Sequence, residues 1–320
     1  MRIVVSRERR VGACVADQVI DLNRADSRLP PDLASFIALG PRGLDIARDV
    51  IDRVTSGALQ VAQDGQPVVQ SRAAVNLKAP WAPAARIACA GANYARHLAG
   101  ARAANTGENP DLDEVYRQSR SAGPWGFWKV IADVRGDGED VTYPARATRF
   151  DYEGEAAIVI GTTALDVAAD RIDEHIWGIT LLNDWSIRND MGPGRPMSFN
   201  LPKNFNSSTS IGPCIVVGED LDPQNLTIQT RVNGAVRQDY STSEMTFSFG
   251  ELLEFLSRDF TFLPGDIIAA GTGAGTAMDS SRAGPDGAAP TDLFLKPGDE
   301  VDVSSPRIGT LRNRVVRKLA

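Results

Sequence analysis

Phe150-Asp151-Tyr152-Glu153-Gly154-Glu155-Ala156-Ala157-Ile158-Val159-Ile160-Gly161 decides how the rest of the chain is read. From Ala156 it is an apolar, β-branched run closed by a glycine, which predicts a strand buried on both faces. Two acids stand at its mouth. Side chains at i and i+2 of a strand share a face, with Cα atoms about 6.6 Å apart. Glu153 and Glu155 therefore point the same way. Two carboxylates held ~4 Å apart repel by roughly 4 kcal/mol at an effective dielectric of ~20. A proton, a cationic side chain or a metal ion relieves that repulsion. Gly154 between them lets another group approach closely. A bare E-x-E is usually a solvated strand end, but the run beside this one is too apolar for a surface strand.

A third acid extends the pair. Gly178-Ile179-Thr180-Leu181-Leu182-Asn183-Asp184 is a second apolar run that ends on a carboxylate. Three carboxylates with no neighbouring His or Cys make a hard oxygen site, suited to Mg²⁺, Mn²⁺ or Ca²⁺ rather than Zn²⁺. Such a site polarises a keto acid.

Composition narrows the partners. The 320 residues are 42% hydrophobic and 23% charged, with net charge −7. That supports a large core, and two domains or one large and one small. The acidic balance, without a basic block, argues against nucleic acid and anionic membranes. No apolar run reaches the ~18 residues of a membrane span. The N-terminus becomes charged too early for a secretory signal. Cys14, Cys89 and Cys214 are scattered and odd in number, which suits a reducing cytoplasm.

Residues 1–78 read as a small N-terminal α+β domain, with strands over 2–5 and 11–22 and helices over 32–39 and 43–54. Leu77 to Pro83 reads as a linker because its two prolines favour an extended chain. Residues 79–320 read as a second, larger domain. Arg86 to Ala90 predicts a short buried strand. A glycine turn follows, and then a helix start with Asn93 as candidate N-cap and His97 in its first turns. Residues 101–124 are polar and read as a lid excursion. Trp125 to Val130 is an aromatic strand that places Phe127 and Lys129 on one face. Residues 191–206 and 279–291 read as loops. Asn233-Gly234 predicts a hairpin, Phe249 to Ser257 a helix, and the remaining C-terminal segments strands. The fold class is α+β, mostly β, and not a doubly wound sheet.

Gly271-Thr272-Gly273-Ala274-Gly275 lacks G-x-G-x-x-G spacing. It reads either as a loop offering N–H groups and the Thr272 hydroxyl to a substrate carboxylate or carbonyl, or as a plain turn. His97 is a candidate general base, whereas His175 sits in a charged turn. Lys129 and Lys203 could neutralise a substrate carboxylate. No G-x-S-x-G elbow and no zinc cluster is present.

Taken in order, Gly91-Ala92-Asn93-Tyr94 with His97, Phe127-Trp128-Lys129, Asp151-Tyr152-Glu153-Gly154-Glu155, Asn183-Asp184-Trp185-Ser186 with Arg188, Lys203-Asn204-Phe205, Val232-Asn233-Gly234, Pro264-Gly265-Asp266 and Gly271-Thr272-Gly273 resemble the fumarylacetoacetate hydrolase family over roughly residues 80–320. The resemblance implies a mixed β-roll catalytic domain, usually in a homodimer. It implies Mg²⁺, Mn²⁺ or Ca²⁺ on Glu153, Glu155 and Asp184, and a small 2-oxo or 2,4-dioxo acid as substrate. Hydrolysis of a C–C bond through a metal-bound enolate is the expected reaction. Isomerisation, decarboxylation or dehydration on the same site is the alternative, and a non-catalytic metal-binding relative a third. In family terms His97 activates water, and Lys129 and Lys203 meet the substrate or its enolate. Asn93, Tyr94, Arg188, Gly271 and Thr272 bind substrate. Three positions depart from the pattern. Gly100 stands where a glutamate often partners the histidine, which leaves Glu108, Asp111, Asp113 or Glu114 to supply that acid. Met191 replaces a substrate-binding glutamine. Gly273 replaces the proline that usually follows Thr272.

Overall fold

The computed structural model describes residues 1–189, 200–218, 222–281 and 293–318. The run Gly154–Ile160 forms the predicted strand, and all seven of its residues are buried. Antiparallel neighbours flank it on both sides, Ile176–Asp184 and Ile267–Ala269. Both faces are covered because alternate side chains enter different cores. Ala156, Ile158 and Ile160 join one cluster with Ile228, Val303 and Leu311. Ala157 and Val159 join another with Phe36, Ile37, Ala47 and Val50. This explains a continuous apolar run where a half-exposed strand would alternate.

The main sheet carries twelve strands, and the acid strand lies inside it. On one side the order runs through Ile176–Asp184 and Thr209–Val216 to Arg2–Ser6 and the N-terminal strands. On the other it runs through Ile267–Ala269 to Ile87–Ala90 and Gly126–Lys129. Pairing is mixed: Ile267–Ala269 runs parallel to Ile87–Ala90, while most other pairs are antiparallel. A second sheet of five strands contributes Ile228, Val303 and Leu311 to the first cluster. The helix Gly40–Thr55 packs into the second cluster through Ala47, Val50 and Val54, positions at helical spacing. This mixed β-roll, with helices in the minority, is the expected fold class.

Local chemistry sets several joints. Asn233 and Gly234 adopt φ of 50° and 80° and join Thr227–Val232 to Ala235–Ser241, as the predicted hairpin requires. Asp266 accepts the Arg86 N–H at 2.8 Å and the Leu263 N–H at 2.8 Å, and its carboxylate pairs with the Arg86 guanidinium. The Pro264-Gly265-Asp266 motif therefore ties two parallel strands together at their starts.

Two readings change. Residues 101–124 are largely helical. The helix Ala95–Thr106 ends at Gly107, with φ 75°, and Leu112–Ala122 follows, capped by Asp111 through the Glu114 N–H at 2.8 Å. In that second helix Leu112, Val115 and Tyr116 recur at helical spacing, a short apolar stripe among polar residues, and Val115 is its only buried residue. Leu77 to Pro83, read as a linker, packs inward, with Trp81 3% and Ala82 4% exposed. Among the described residues no helix is long and apolar enough to cross a membrane.

Gly154 shows how closely the second sheet approaches the acids. A Cβ there would lie 2.2 Å from Thr230 Oγ1 and 3.0 Å from a Val303 methyl. Gly154→Ala is expected to cost about 1–3 kcal/mol through overpacking. Thermal unfolding measures this, and a smaller loss in a Thr230→Ala background would identify the clash as the cause.

Candidate active site

The two acid strands meet at their mouths. Gly154 pairs with Asn183, and the Asp184 N–H donates to the Glu153 carbonyl at 2.9 Å. This register brings carboxylate oxygens of Glu153, Glu155 and Asp184 within 4.8 Å of one another. The three residues are 5%, 1% and 0% exposed.

Three cations surround them. Arg188 donates to Glu153 Oε1 and to Asp151 Oδ2. Lys203 bridges Glu153 and Asp184, and Lys129 donates to Asp184 and to the Ser208 carbonyl. Burial alone would raise the Glu153 pKa, but Arg188 and Lys203 overcome it and hold this acid well below the usual carboxylate range. Burial would also lower Lys203, yet Asp184 and Glu153 keep it above its ordinary value.

Glu155 is the exception. It accepts the Gly271 N–H at 3.0 Å and makes no ion pair among the described residues. Burial, then the charges of Asp184 and Glu153, push it well above the usual range. The three donors are hard oxygens and one of them lacks a counter-charge, so they fit a divalent cation of the Mg²⁺, Mn²⁺ or Ca²⁺ class.

His97 lies in the first turn of Ala95–Thr106, and its Nδ1 is 2.7 Å from Asp279 Oδ2. Both side chains are nearly buried, at 9% and 3% exposure. Asp279 belongs to the short helix Ala277–Ser280, capped by Thr276, and also accepts the Gly275 N–H at 3.0 Å. It corrects the expectation for the acid partner. Asp111 caps a helix, Glu114 pairs with Arg117, and neither meets His97. Gly100 explains the relocation. A Cβ on Gly100 would sit 2.7 Å from Asp279 Cβ, so the missing side chain is the space Asp279 occupies. Residues 279–291 had read as loop. A sequence signal was available in Thr276-Ala277-Met278-Asp279, the pattern of a helix start with an acid three residues after its cap.

Glu153, Glu155, His97, Arg188, Lys203 and Thr272 all line one cavity of about 660 Å³. Leu98, Trp125, Phe127 and Met278 give it apolar walls. Lys129 lies beneath, its side chain 0% exposed. Thr272 donates its hydroxyl to the Gly154 carbonyl at 2.9 Å and accepts from Gln238 at 2.7 Å. The Gly271 N–H is spent on Glu155.

Asn93 does not cap the helix; Tyr94 occupies that position without a side-chain bond. The Asn93 amide instead bonds the main chain of Phe247 and Ala270, which holds the glycine loop in place. Tyr94 stacks edge-on with Tyr240 at 5.0 Å. Neither lines the cavity. Asp151, whose role the motif alone did not reveal, accepts the Ala277 and Met278 N–H groups at 2.8 and 3.0 Å. It thereby anchors the turn that carries Asp279. Met191 lies outside the described residues.

Comparison with known proteins agrees with this architecture. The family described as Fumarylacetoacetate (FAA) hydrolase C-terminal matches residues 86–316. An oxaloacetate tautomerase of Bacillus subtilis (strain 168), YisK, is 32% identical over 315 residues, covering 95% of each chain. The structure of a fumarylacetoacetate hydrolase from psychrophilic Exiguobacterium antarcticum superposes with TM-score 0.75 at 26% identity, covering 99% of each chain. That of a 5-carboxymethyl-2-hydroxymuconate delta-isomerase from Mycobacterium smegmatis gives 0.68 at 28% identity, covering 99% of this chain and all of the other.

The unpaired state of Glu155 has a measurable consequence. A carboxyl raised in the folded protein keeps its proton to higher pH than in the unfolded chain, so it penalises the folded state as pH rises above the unfolded carboxylate value. In EDTA at pH 7, Glu155→Gln is expected to raise Tm by a few degrees, and near pH 4 the difference should vanish. Mn²⁺ should stabilise the wild type and leave the variant unmoved. Calorimetry at both pH values checks this; a variant that melts lower throughout would contradict it.

Proposed function

The chain belongs to the fumarylacetoacetate hydrolase family, and on that premise we propose that it interconverts the enol and keto forms of a 2-oxo acid. The reading rests on one observation: Glu153 and Glu155 of the buried acidic triad and His97 of the His97–Asp279 pair line the same cavity. The likeness to the B. subtilis oxaloacetate tautomerase over nearly the full length of both chains supports tautomerisation as the reaction.

A divalent ion, Mg²⁺, Mn²⁺ or Ca²⁺, on Glu153, Glu155 and Asp184 would supply Lewis-acid polarisation of the 2-oxo acid's oxygens. The chain's own residues do the rest. Asp279 accepts from His97 Nδ1–H and leaves the Nε2 lone pair as the base. That nitrogen takes a proton from C3. The C–H electron pair becomes the C2–C3 double bond, the carbonyl pair moves to the 2-oxygen, and a proton from solvent completes the enol. His97 then releases the C3 proton to solvent and becomes neutral again, so one proton leaves C3, one arrives at the 2-oxygen and none is gained or lost; the reverse sequence restores the ketone. Arg188, Lys203 and Lys129 pair with Glu153 and Asp184 and add positive potential where negative charge develops. Thr272 stands on the cavity wall with its hydroxyl committed to the Gly154 carbonyl and the Gln238 amide, so it shapes that wall. Residues 101–124 act as the cavity's cover, with Ala101, Arg102 and Asn105 on its wall. A small N-terminal domain over 1–78 and a homodimeric assembly belong to the same reading.

C–C hydrolysis of a 2,4-dioxo acid is the second reading, and Asp279 favours it. Gly100 seemed to deprive His97 of an acid, but the structure restores one from another element, and the same pair could activate water. The deciding experiment follows the ultraviolet enol band of oxaloacetate and of a panel of 2,4-dioxo acids, with Mg²⁺, Mn²⁺ or EDTA. Metal-dependent enol loss with unchanged mass supports tautomerisation. Two acid products support hydrolysis. Activity undiminished by EDTA would sink both.

Asp279→Asn is expected to lower kcat on the order of 10²-fold with KM little changed, because Asp279 positions the base without touching substrate. Asp279→Glu should recover part of the loss, and His97→Ala should lose at least as much as Asp279→Asn. Steady-state kinetics separates these outcomes from a general loss of fold.

A further inference from the structure

At the mouth of the acid strand, one edge passes from main-chain pairing to side-chain pairing. Further along the strand, Ala156 and Ile160 bond to the main chain of residues 265–270, with the Ala270 N–H donating to the Ala156 carbonyl at 2.9 Å. Alternate residues of a strand turn their N–H and C=O to the same edge, so Gly154 faces that way too. Beyond Ala270 the partner chain leaves as the glycine loop, and side chains take its place. The Gly154 N–H donates to Gln238 Oε1 at 3.1 Å. Gln238 Nε2 donates to Thr272 Oγ1 at 2.7 Å, and Thr272 Oγ1 donates to the Gly154 carbonyl at 2.9 Å. These three bonds close a ring that begins and ends on Gly154. Gln238 comes from the strand Ala235–Ser241 of the second sheet and is 0% exposed. Its amide also donates to the Gly273 carbonyl at 2.9 Å. The ring has one sense only. Turned over, the Gln238 amide would set its NH₂ against the Gly154 N–H and its oxygen against the Gly273 carbonyl.

The peptides gripped by this ring join Gly154 to Glu153 and to Glu155, so the ring sets the planes from which both carboxylates project. Gly154 has no Cβ to restrict its own backbone, which makes an outside grip necessary. The ring also holds the glycine loop, whose Gly271 N–H meets Glu155 at 3.0 Å. Gln238 thus reaches Glu155, the acid without an ion pair among the described residues, by two routes. We propose that Gln238 is the positioning residue of the acid pair: through Thr272 and the Gly154 peptides it fixes the separation and aim of Glu153 and Glu155 before a cation arrives. It touches neither cation nor substrate and acts through these bonds alone. Outer groups that orient metal ligands in this way are worth roughly 10–100-fold in affinity. The proposal rests on the reading of the triad as a divalent-cation site.

The test is calorimetric titration of Mn²⁺ into the full-length, EDTA-stripped protein, with circular dichroism to show that each variant is folded. Gln238→Met should weaken Mn²⁺ binding on the order of tenfold. Thr272→Val opens the same ring while the Tyr240 hydroxyl, 2.6 Å from the Gly154 carbonyl, keeps that carbonyl bonded. It should lose about as much, whereas Thr272→Ser, which restores the hydroxyl, should stay within about twofold of the wild type. A ring opened twice is no more open than one opened once, so Gln238→Met with Thr272→Val should bind within about twofold of the weaker single variant. The electron paramagnetic resonance lines of bound Mn²⁺ should broaden in the opened variants and keep the wild-type form in Thr272→Ser. Wild-type affinity in folded Thr272→Val, equal losses in Thr272→Val and Thr272→Ser, or losses that multiply in the double variant overturn the proposal and leave the triad reading in place. The Thr272 pair decides even if Gln238→Met does not fold. Failure of the wild type to bind Mn²⁺ overturns the triad reading and the proposal with it.

Discussion

Mutual repulsion among buried carboxylates is the constraint on which this structure turns. Asp151, Glu153, Glu155 and Asp184 are each at most 5% exposed and converge where two apolar strands end. Charges in such a place must be paired or neutralised. Arg188, Lys203 and Lys129 answer most of that demand, and each comes from a different part of the chain. What they leave is Glu155, pinned by one main-chain N–H and flanked by like charge. The surrounding architecture brings the acids together and stops short of satisfying them. That residual demand is what suits the three oxygen donors to a divalent cation.

Close approach of main chains is the second requirement, and small residues meet it. Gly154 admits the five-stranded sheet, and Gly100 admits the turn that carries Asp279. Asp151 joins the two problems. Its carboxylate takes Arg188 on one side and the Ala277 and Met278 N–H groups on the other. The acid cluster and the histidine pair are therefore mechanically coupled, although 182 residues separate His97 from Asp279 in the chain. A histidine positioned from one element and carboxylates positioned from another line one cavity.

The acid that meets His97 stands on a distant turn and not on the histidine's own helix. Arg102 and Arg149 bring further positive charge to the cavity wall. Relatives with tautomerase, hydrolase and isomerase names share the same scaffold.

Much of this was legible in the residues. The apolar runs ending in Glu153, Glu155 and Asp184 predicted buried strands and a hard oxygen site, because strand periodicity and desolvation are local properties of a sequence. The Asn233-Gly234 hairpin and the helix Phe249–Leu256 were readable for the same reason. Other features depend on contacts between distant segments. The helix Leu112–Ala122 carries a stripe of only Leu112, Val115 and Tyr116 inside a polar stretch, and it buries a single residue. Asn93 looked like a helix cap, yet its amide serves a loop more than 150 residues away. Gly100 looked like the loss of a catalytic partner and proved to be the space for another. The sequence by itself determined which acids are buried and what kind of cation suits them. Only the tertiary structure decided which acid holds His97, which cations quench the cluster and which carboxylate is left over, because those are questions of packing between segments that no local spacing encodes.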